Sequence, residues 1–86
     1  MTQREQKLVK HMLDVLHESD GLQFDEITLH GSIYLRAVCS LGEFKAALAI
    51  ASMRGWINAV ENRTTKKMKW NINDRGEGAR LELMNE

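Results

Sequence analysis

Residues 40–55 read SLGEFKAALAIASMRG, and this stretch decides the fold of the 86-residue chain. Ser40 and Glu43 have the spacing of a capping box, in which the serine hydroxyl accepts from an early backbone N–H and the glutamate reaches back to the cap. A helix is therefore predicted to begin there, with Leu41, Phe44, Leu48 and Ala51 at helical spacing. Arg54 and Gly55 predict its end near Arg54, because glycine readily takes the left-handed conformation that follows a helix.

Two strands and another helix are predicted after this one. Residues 56–61, WINAVE, are rich in strand formers, and residues 66–72, KKMKWNI, alternate between apolar and polar side chains. The polar residues 62–65 form the tip of the hairpin. Asn73 is expected to cap a last helix, which carries Ala79, Arg80, Leu81, Leu83 and Met84.

Three short segments resemble the small bacterial, archaeal and phage winged-helix regulators: FKAAL at 44–48, MRGWI at 53–57 and INDRG at 72–76. In those families a helix ends in an R-G-hydrophobic-I step, a wing hairpin follows, and an L-T-x-x-G step opens the last helix. The resemblance implies an α+β winged helix-turn-helix domain over residues 1–86. It implies a three-helix core, a two- to three-stranded wing and a C-terminal helix. Winged helices include DNA binders, RNA binders and protein adaptors, so the fold leaves the function open.

The N-terminal segment predicts a helix from about Gln3 to Glu18. Thr2 and Glu5 form a second capping box. Asp20-Gly21 is expected to end this helix. Its apolar stripe consists of Leu8, Met12, Val15 and Leu16, and it lies opposite Arg4, Lys7, Lys10 and Asp14.

Residues 24–35 allow two interpretations. Phe24 can pack against a short helix over Asp25–His30, with a brief strand at Ile33–Leu35, and this is the interpretation we favour. The β-friendly residues on both sides of His30-Gly31 can instead form a hairpin.

Composition is consistent with one domain. With 43% hydrophobic residues, the chain can bury one modest core. The sequence contains no apolar run of membrane-spanning length, and its charged first residues lack the apolar core of a signal peptide, so we expect a cytoplasmic protein that does not engage a membrane. The single Cys39 cannot form an internal disulfide, which is compatible with a reducing compartment.

Charge is unevenly distributed along the chain. The formal net charge is zero, yet residues 54–69 contain five basic side chains and one acid, Glu61. The five are Arg54, Arg63, Lys66, Lys67 and Lys69. We expect those of the wing to contact phosphates, with Arg63 at the tip able to enter a minor groove. The alternative is a solvated hairpin whose lysines keep an edge strand from pairing with other chains.

The predicted recognition helix is poor in base-reading side chains. Within it, Lys45 and Arg54 could contact a duplex. The rest of its outer face is largely apolar and suits a protein partner or a second copy of this chain. Those interface candidates are Ala46, Ala49, Ile50 and Met53. The alternative is a helix buried more completely than usual beneath residues 21–39.

Catalytic and metal sites are not predicted. His11 and His17 are six residues apart and point to different faces of a helix, and neither forms a recognised zinc pattern with Cys39. Cys39 precedes a helix, which could lower its thiol pKa, but a buried hydrophobic role is favoured. Trp70 is expected to pack in the core of the wing, although an exposed indole could stack on a base.

These observations favour a small DNA-binding regulatory protein that uses a basic wing on double-stranded DNA, with no enzymatic activity, cofactor or metal. The alternative is a protein-interaction adaptor or a dimerisation module with the same fold and no DNA binding of its own.

Overall fold

A computed structural model describes residues 1–20 and 22–84. These residues form four helices and three strands, which confirms the predicted α+β class. The elements are α1 (Gln3–Glu18), β1 (Phe24–Asp25), α2 (Glu26–Arg36), α3 (Leu41–Met53), β2 (Ile57–Glu61), β3 (Met68–Ile72) and α4 (Asp74–Met84). None of the helices in this part of the chain combines the length and hydropathy that a membrane span requires.

Helix α1 has the predicted bounds and the predicted cap. The Thr2 hydroxyl accepts from the Glu5 backbone N–H at 3.1 Å, and the Glu5 carboxylate accepts from the Thr2 N–H at 2.8 Å. The predicted apolar stripe is buried, together with Val9 and Leu13. Beyond the helix Asp20 has a positive φ of 50°. Gly21, the other half of the predicted stop, lies outside the described residues.

Residues 26–36 form one continuous helix, so the strand predicted at Ile33–Leu35 and the alternative hairpin at His30-Gly31 are both wrong. The Asp25 carboxylate caps this helix by accepting from the Thr28 N–H at 2.7 Å. Helical geometry places Leu29 and Ile33 on the same face, where both are fully buried. Burial of this apolar pair outweighs the weak β propensity of the segment.

Phe24 and Asp25, just before α2, also form a third strand. The antiparallel sheet has the order β1-β3-β2, with Trp70 of the central strand opposite Phe24 on one side and Ala59 on the other. Trp70 is 8% exposed. Its predicted core role is confirmed, and the alternative of an exposed indole that stacks on a base is wrong. Of the two other apolar residues in the alternating stretch 66–72, Ile72 packs partly against the core and Met68 is exposed.

Asn73 connects the wing, the end of α3 and α4. Its side-chain oxygen accepts from the Gly76 backbone N–H at 2.9 Å, which confirms the predicted cap. Its amide nitrogen donates to the Gly55 carbonyl at 2.8 Å and to the Asn58 side chain at 3.1 Å. One side chain therefore joins the start of α4 to the turn after α3 and to strand β2.

Gly76 lets α4 approach the chain that enters the wing. A Cβ at this position would lie 2.1 Å from the Trp56 carbonyl oxygen and 2.6 Å from the Ile72 side chain. Such distances are far shorter than a van der Waals contact, and the first involves backbone that has little room to move. Any side chain at Gly76 must therefore separate α4 from the wing.

We expect Gly76→Ala to lower the free energy of unfolding by roughly 1–3 kcal/mol, because overpacking outweighs the better helix propensity of alanine. Gly78→Ala is the matched control, since a Cβ there has nothing within 4 Å. It should raise stability by about 0.5–1 kcal/mol. Urea unfolding followed by circular dichroism measures both. Equal effects of the two substitutions would contradict the close approach at Gly76.

Candidate nucleic-acid interface

Helix α3 begins at the predicted cap. The Ser40 hydroxyl accepts from the Glu43 N–H at 3.1 Å, and the Glu43 carboxylate accepts from the Ser40 N–H at 3.0 Å. The helix buries Phe44, Ala47, Leu48 and Ala51 against the core. Leu41, predicted to share that face, is instead 50% exposed, because the first turn extends past the core. Gly55 follows with a φ of 72°, as its predicted left-handed role requires.

His30 holds the turn between α2 and α3, a role that the sequence did not reveal. Its Nε2 lies 3.1 Å from the Cys39 carbonyl oxygen, and its ring stacks on Phe44 with the centroids 4.9 Å apart. The imidazole thus sets the position of α3 relative to α2. One feature of the sequence could have indicated this role of His30: it follows Leu29 directly on α2 and therefore lies next to the buried face of the helix.

Glu43 also ties α3 to α1. Its Oε2 lies 2.9 Å from Nε of Arg4, whose guanidinium donates in addition to the Val38 carbonyl. The hydrogen bond from Arg4, followed by the one from the Ser40 backbone, lowers the pKa of the Glu43 carboxyl. The outer face of α3 was predicted to be poor in side chains that read bases. It includes the Glu43 carboxylate, which already accepts hydrogen bonds at the N-terminus of the helix.

The outer face of α3 is exposed and largely apolar. Ala46, Ala49 and Met53 are exposed, and Met53 is 87% exposed. Ile50, grouped with them from the sequence, is half-buried and packs partly against the core. The alternative of a helix covered by residues 21–39 is wrong, because three of these four side chains are exposed.

Two cations flank this face, and both have partners within the protein. Nζ of Lys45 lies 3.7 Å from Oε1 of Glu26 on α2. The guanidinium of Arg54 lies 5.4 Å from the ring centroid of Trp56, within the range of a cation–π contact. Both side chains remain exposed, so they could reach a duplex at the expense of these weak contacts.

The wing tip is organised by Asn62. Its side-chain oxygen accepts from the backbone N–H groups of Thr64 and Thr65 at 2.9 and 3.3 Å, as in an Asx turn. The backbone of Asn62 closes the hairpin against Lys67 and Lys66, and Lys66 has a left-handed φ of 56°. The backbone of the tip therefore has a defined conformation that hydrogen bonds stabilise.

The wing carries the four cations that the sequence placed there, and all four are exposed: Arg63, Lys66, Lys67 and Lys69. At the base of the wing, strand pairing places Asp25 opposite Lys69. Hydrogen bonds from Thr28 are the main reason that the pKa of the Asp25 carboxyl is lowered, and Lys69 and Lys67 lower it further. Asp25 therefore offsets part of the positive charge of Lys69 and Lys67.

Other kinds of site find little support in the part of the chain that the structure describes. No group of three histidine, cysteine, aspartate or glutamate side chains there is placed to hold a metal ion. Nδ1 of His17 lies 2.7 Å from Oε2 of Glu77, which joins α1 to α4. Cys39 is 4% exposed, and burial raises the pKa of its thiol, opposite to the activation that a helix N-terminus could provide. We therefore favour a structural role for Cys39 as a small buried side chain.

Known structures with the same fold are similar over nearly the whole chain. The F-93 protein of SSV1 superimposes with a TM-score of 0.67 and 13% identity over 96% of this chain and 83% of its own. A provisionally assigned transcriptional regulator from Thermoplasma acidophilum gives a TM-score of 0.71 and 16% identity over 95% of this chain and 81% of its own. The chain has the winged-helix fold, as the resemblance in its sequence predicted.

A transcriptional regulator of the MarR family from Silicibacter pomeroyi is also similar, with a TM-score of 0.67 and 16% identity over 92% of this chain. The chain spans about half of that protein, 49% of its length. No protein-family model matches the sequence, and no curated protein is significantly similar to it. At these identities the likeness shows the fold alone.

The Arg4–Glu43 pair predicts a pH dependence of stability. Because the pKa of Glu43 is lowered in the folded protein, the unfolded chain takes up a proton first as the pH falls. The stabilisation is complete above the usual carboxyl pKa of 4.5 and is lost as the pH falls below it, through the lowered pKa of the folded state. Glu43→Gln should therefore give a shallower loss of stability below that pH in urea unfolding.

Arg4→Met is the matched test of the same pair, because it removes the cation and leaves the carboxylate. It should flatten the acid limb only in part, because the hydrogen bond from the Ser40 backbone still lowers the pKa of Glu43, and the double variant should flatten it no further than Glu43→Gln alone. An acid limb that keeps the wild-type slope in both single variants would show that this pair does not set the pKa of Glu43.

Proposed function

We propose that this protein binds double-stranded DNA as a small regulatory winged helix, with α3 over the major groove and the wing against the phosphate backbone. The observation that carries the proposal is the exposed cluster of four cations on a hairpin that projects from a chain of zero net charge. Cations at this position can neutralise phosphates without a strongly basic body. Regulators with the same fold support the proposal at the level of architecture.

Phosphate contacts would dominate the affinity of such a protein. The wing cations are long, exposed side chains, and the outer face of α3 presents Ala46, Ala49 and Met53, which donate no hydrogen bonds to base edges. Lys45 at one end of α3 and Arg54 at the other are the available readers. We therefore expect weak discrimination between sequences and a strong dependence on salt.

The organised tip supports a role for Arg63 in the minor groove. The Asx turn at Asn62 holds the backbone on both sides of Arg63. An ordered loop loses less conformational entropy on binding than a disordered one. A narrow minor groove attracts an inserted arginine through its negative potential, which favours A·T-rich duplexes for this contact.

A second candidate function is protein binding through α3, as an adaptor with no DNA activity. The observation that favours it is the exposed apolar surface of Ala46, Ala49 and Met53. Ile50, the fourth member of that predicted interface, is partly committed to the core, so Met53 would be the main anchor. Failure to bind a duplex at low salt would favour this second candidate.

The proposed wing contacts predict a steep salt dependence of duplex binding. Four phosphate contacts correspond to a slope of log K against log salt of about −4. Fluorescence anisotropy of a random-sequence duplex between about 50 and 200 mM salt measures that slope. Lys66→Glu with Lys67→Glu should abolish binding at the higher salt and reduce the slope by about 2.

The control is Lys7→Glu with Lys10→Glu, which makes the same charge change on α1. Because long-range attraction by the whole protein depends on net charge, this control separates direct contact from general electrostatics. It should reduce affinity only slightly and keep the slope. If the two double variants weaken binding equally, the wing is not the phosphate contact, and no binding by the wild type at low salt would contradict the proposed function.

A further inference from the structure

A cleft of about 350 Å³ lies between the first turn of α2 and the wing. Its apolar lining consists of Ile27 from α2 and of Met68 and Trp70 from β3. Trp70 is 8% exposed and forms the deepest part of the cleft, whereas Met68 and Ile27 are 38% and 84% exposed and form its walls. Large apolar side chains grouped around a cleft mark an interaction surface.

The rim of the cleft on the wing side is cationic. Lys66 and Lys67 line it with exposed side chains, and neither forms an ion pair within the described part of the chain. Lys66 has a φ of 56°, a conformation that favours glycine, and its N–H donates to the Asn62 carbonyl at 2.7 Å. A lysine at a position where the backbone favours glycine indicates a role for its side chain outside the fold.

The opposite rim, on α2, carries two carboxylates that already have partners. Asp25 accepts from the Thr28 N–H at 2.7 Å, and Oε1 of Glu26 lies 3.7 Å from Nζ of Lys45. Asp25 offsets only part of the charge of the nearby lysines, because hydrogen bonds from Thr28 are the larger influence on it. The cleft therefore combines an apolar interior with one cationic rim.

We infer that this cleft docks an acidic segment of a partner protein. One large apolar side chain of the segment lies among Ile27, Met68 and Trp70, and the carboxylates next to it contact Lys66 and Lys67. An apolar pocket with cations on its rim complements a segment in which an apolar anchor adjoins acidic residues. The carboxylates on the α2 rim repel acidic side chains, so the acidic residues of the segment lie on one side of its anchor.

An acidic peptide suits the cleft better than a duplex or a small molecule does. A duplex offers phosphates to the lysines, but its bases are stacked and its apolar groups are limited to thymine methyls in the major groove. A small-molecule site encloses most of its ligand, whereas the Ile27 wall of this cleft is largely open to solvent. The inference goes beyond the proposed DNA binding and does not rest on it, although both use Lys66 and Lys67.

Fluorescence anisotropy with the full chain tests the docking. The probe is a fluorescein-labelled peptide in which a phenylalanine adjoins a short acidic run, made with the run on either side of the phenylalanine. We expect saturable binding of one of the two peptides at about 150 mM salt, below about 1 mM protein. The same peptide with serine in place of phenylalanine measures the contribution of charge alone and should bind at least about fivefold more weakly.

The matched variants are Ile27→Ser and Leu35→Ser. Both side chains are exposed on α2, at 84% and 88%, but only Ile27 lines the cleft. Ile27→Ser should weaken the binding of the phenylalanine peptide at least about fivefold, and Leu35→Ser should leave it unchanged. Circular dichroism verifies that both variants keep the fold.

Lys66→Gly separates the binding role of this side chain from any role in the fold. Because glycine suits a left-handed backbone, the variant should unfold at the same or a higher urea concentration than the wild type. It should nevertheless weaken the binding of the peptide at least about threefold, since it removes one of two cations. Peptide binding as tight as that of the wild type would contradict the assigned contact.

Duplex binding distinguishes this inference from the proposed function. Ile27 carries no charge, so Ile27→Ser should keep the duplex affinity of the wild type while it loses the peptide. Three results would overturn the inference: no binding of either peptide up to about 1 mM protein, equal binding of the serine and phenylalanine peptides, or equal effects of Ile27→Ser and Leu35→Ser. A chain that binds the peptide but no duplex would contradict only the proposed function.

Discussion

The position of the wing depends on the contact between Gly76 and the backbone of Trp56. At that point α4 lies against the chain that leaves α3, with no room for a Cβ. The Asn73 side chain adds hydrogen bonds to Gly55 and Asn58, so the end of α3, the start of β2 and the start of α4 form one junction. Because packed protein interiors deform little, this junction fixes the orientation of the wing relative to α3. The α3 surface and the wing can therefore meet one ligand as a unit.

Much of the fold could be predicted because the chain marks its helix ends with local chemistry. The caps at Thr2, Ser40 and Asn73 need partners within three residues, so their spacing is visible in the sequence. Gly55 is visible for a similar reason, since a left-handed residue at a helix end favours glycine. Such signals predict where a helix begins and ends without knowledge of the rest of the structure.

The segment before α3 could be predicted only in part: the short helix over Asp25–His30 is present, but it continues to Arg36, and the rest of the conformation is decided by distant contacts. Strand β1 has two residues and exists through its pairing with Trp70 and Lys69, more than 40 residues away in sequence. The cations of the wing are local and were visible, but their partial compensation by Asp25 depends on that same pairing. The role of His30 likewise depends on Phe44 and Cys39, which belong to other elements. Propensity decides little where tertiary contacts are made by so few residues.

The wing and α3 would contribute unequally to duplex binding. The wing attracts phosphates through solvated charges, an interaction that salt screens. The outer face of α3 presents few side chains that can read base edges, so it would add little discrimination between sequences. A domain of this kind would bind many duplexes with similar affinity. Its choice among sites would then depend on the shape and deformability of the duplex, which a wing in the minor groove can sense without base contacts.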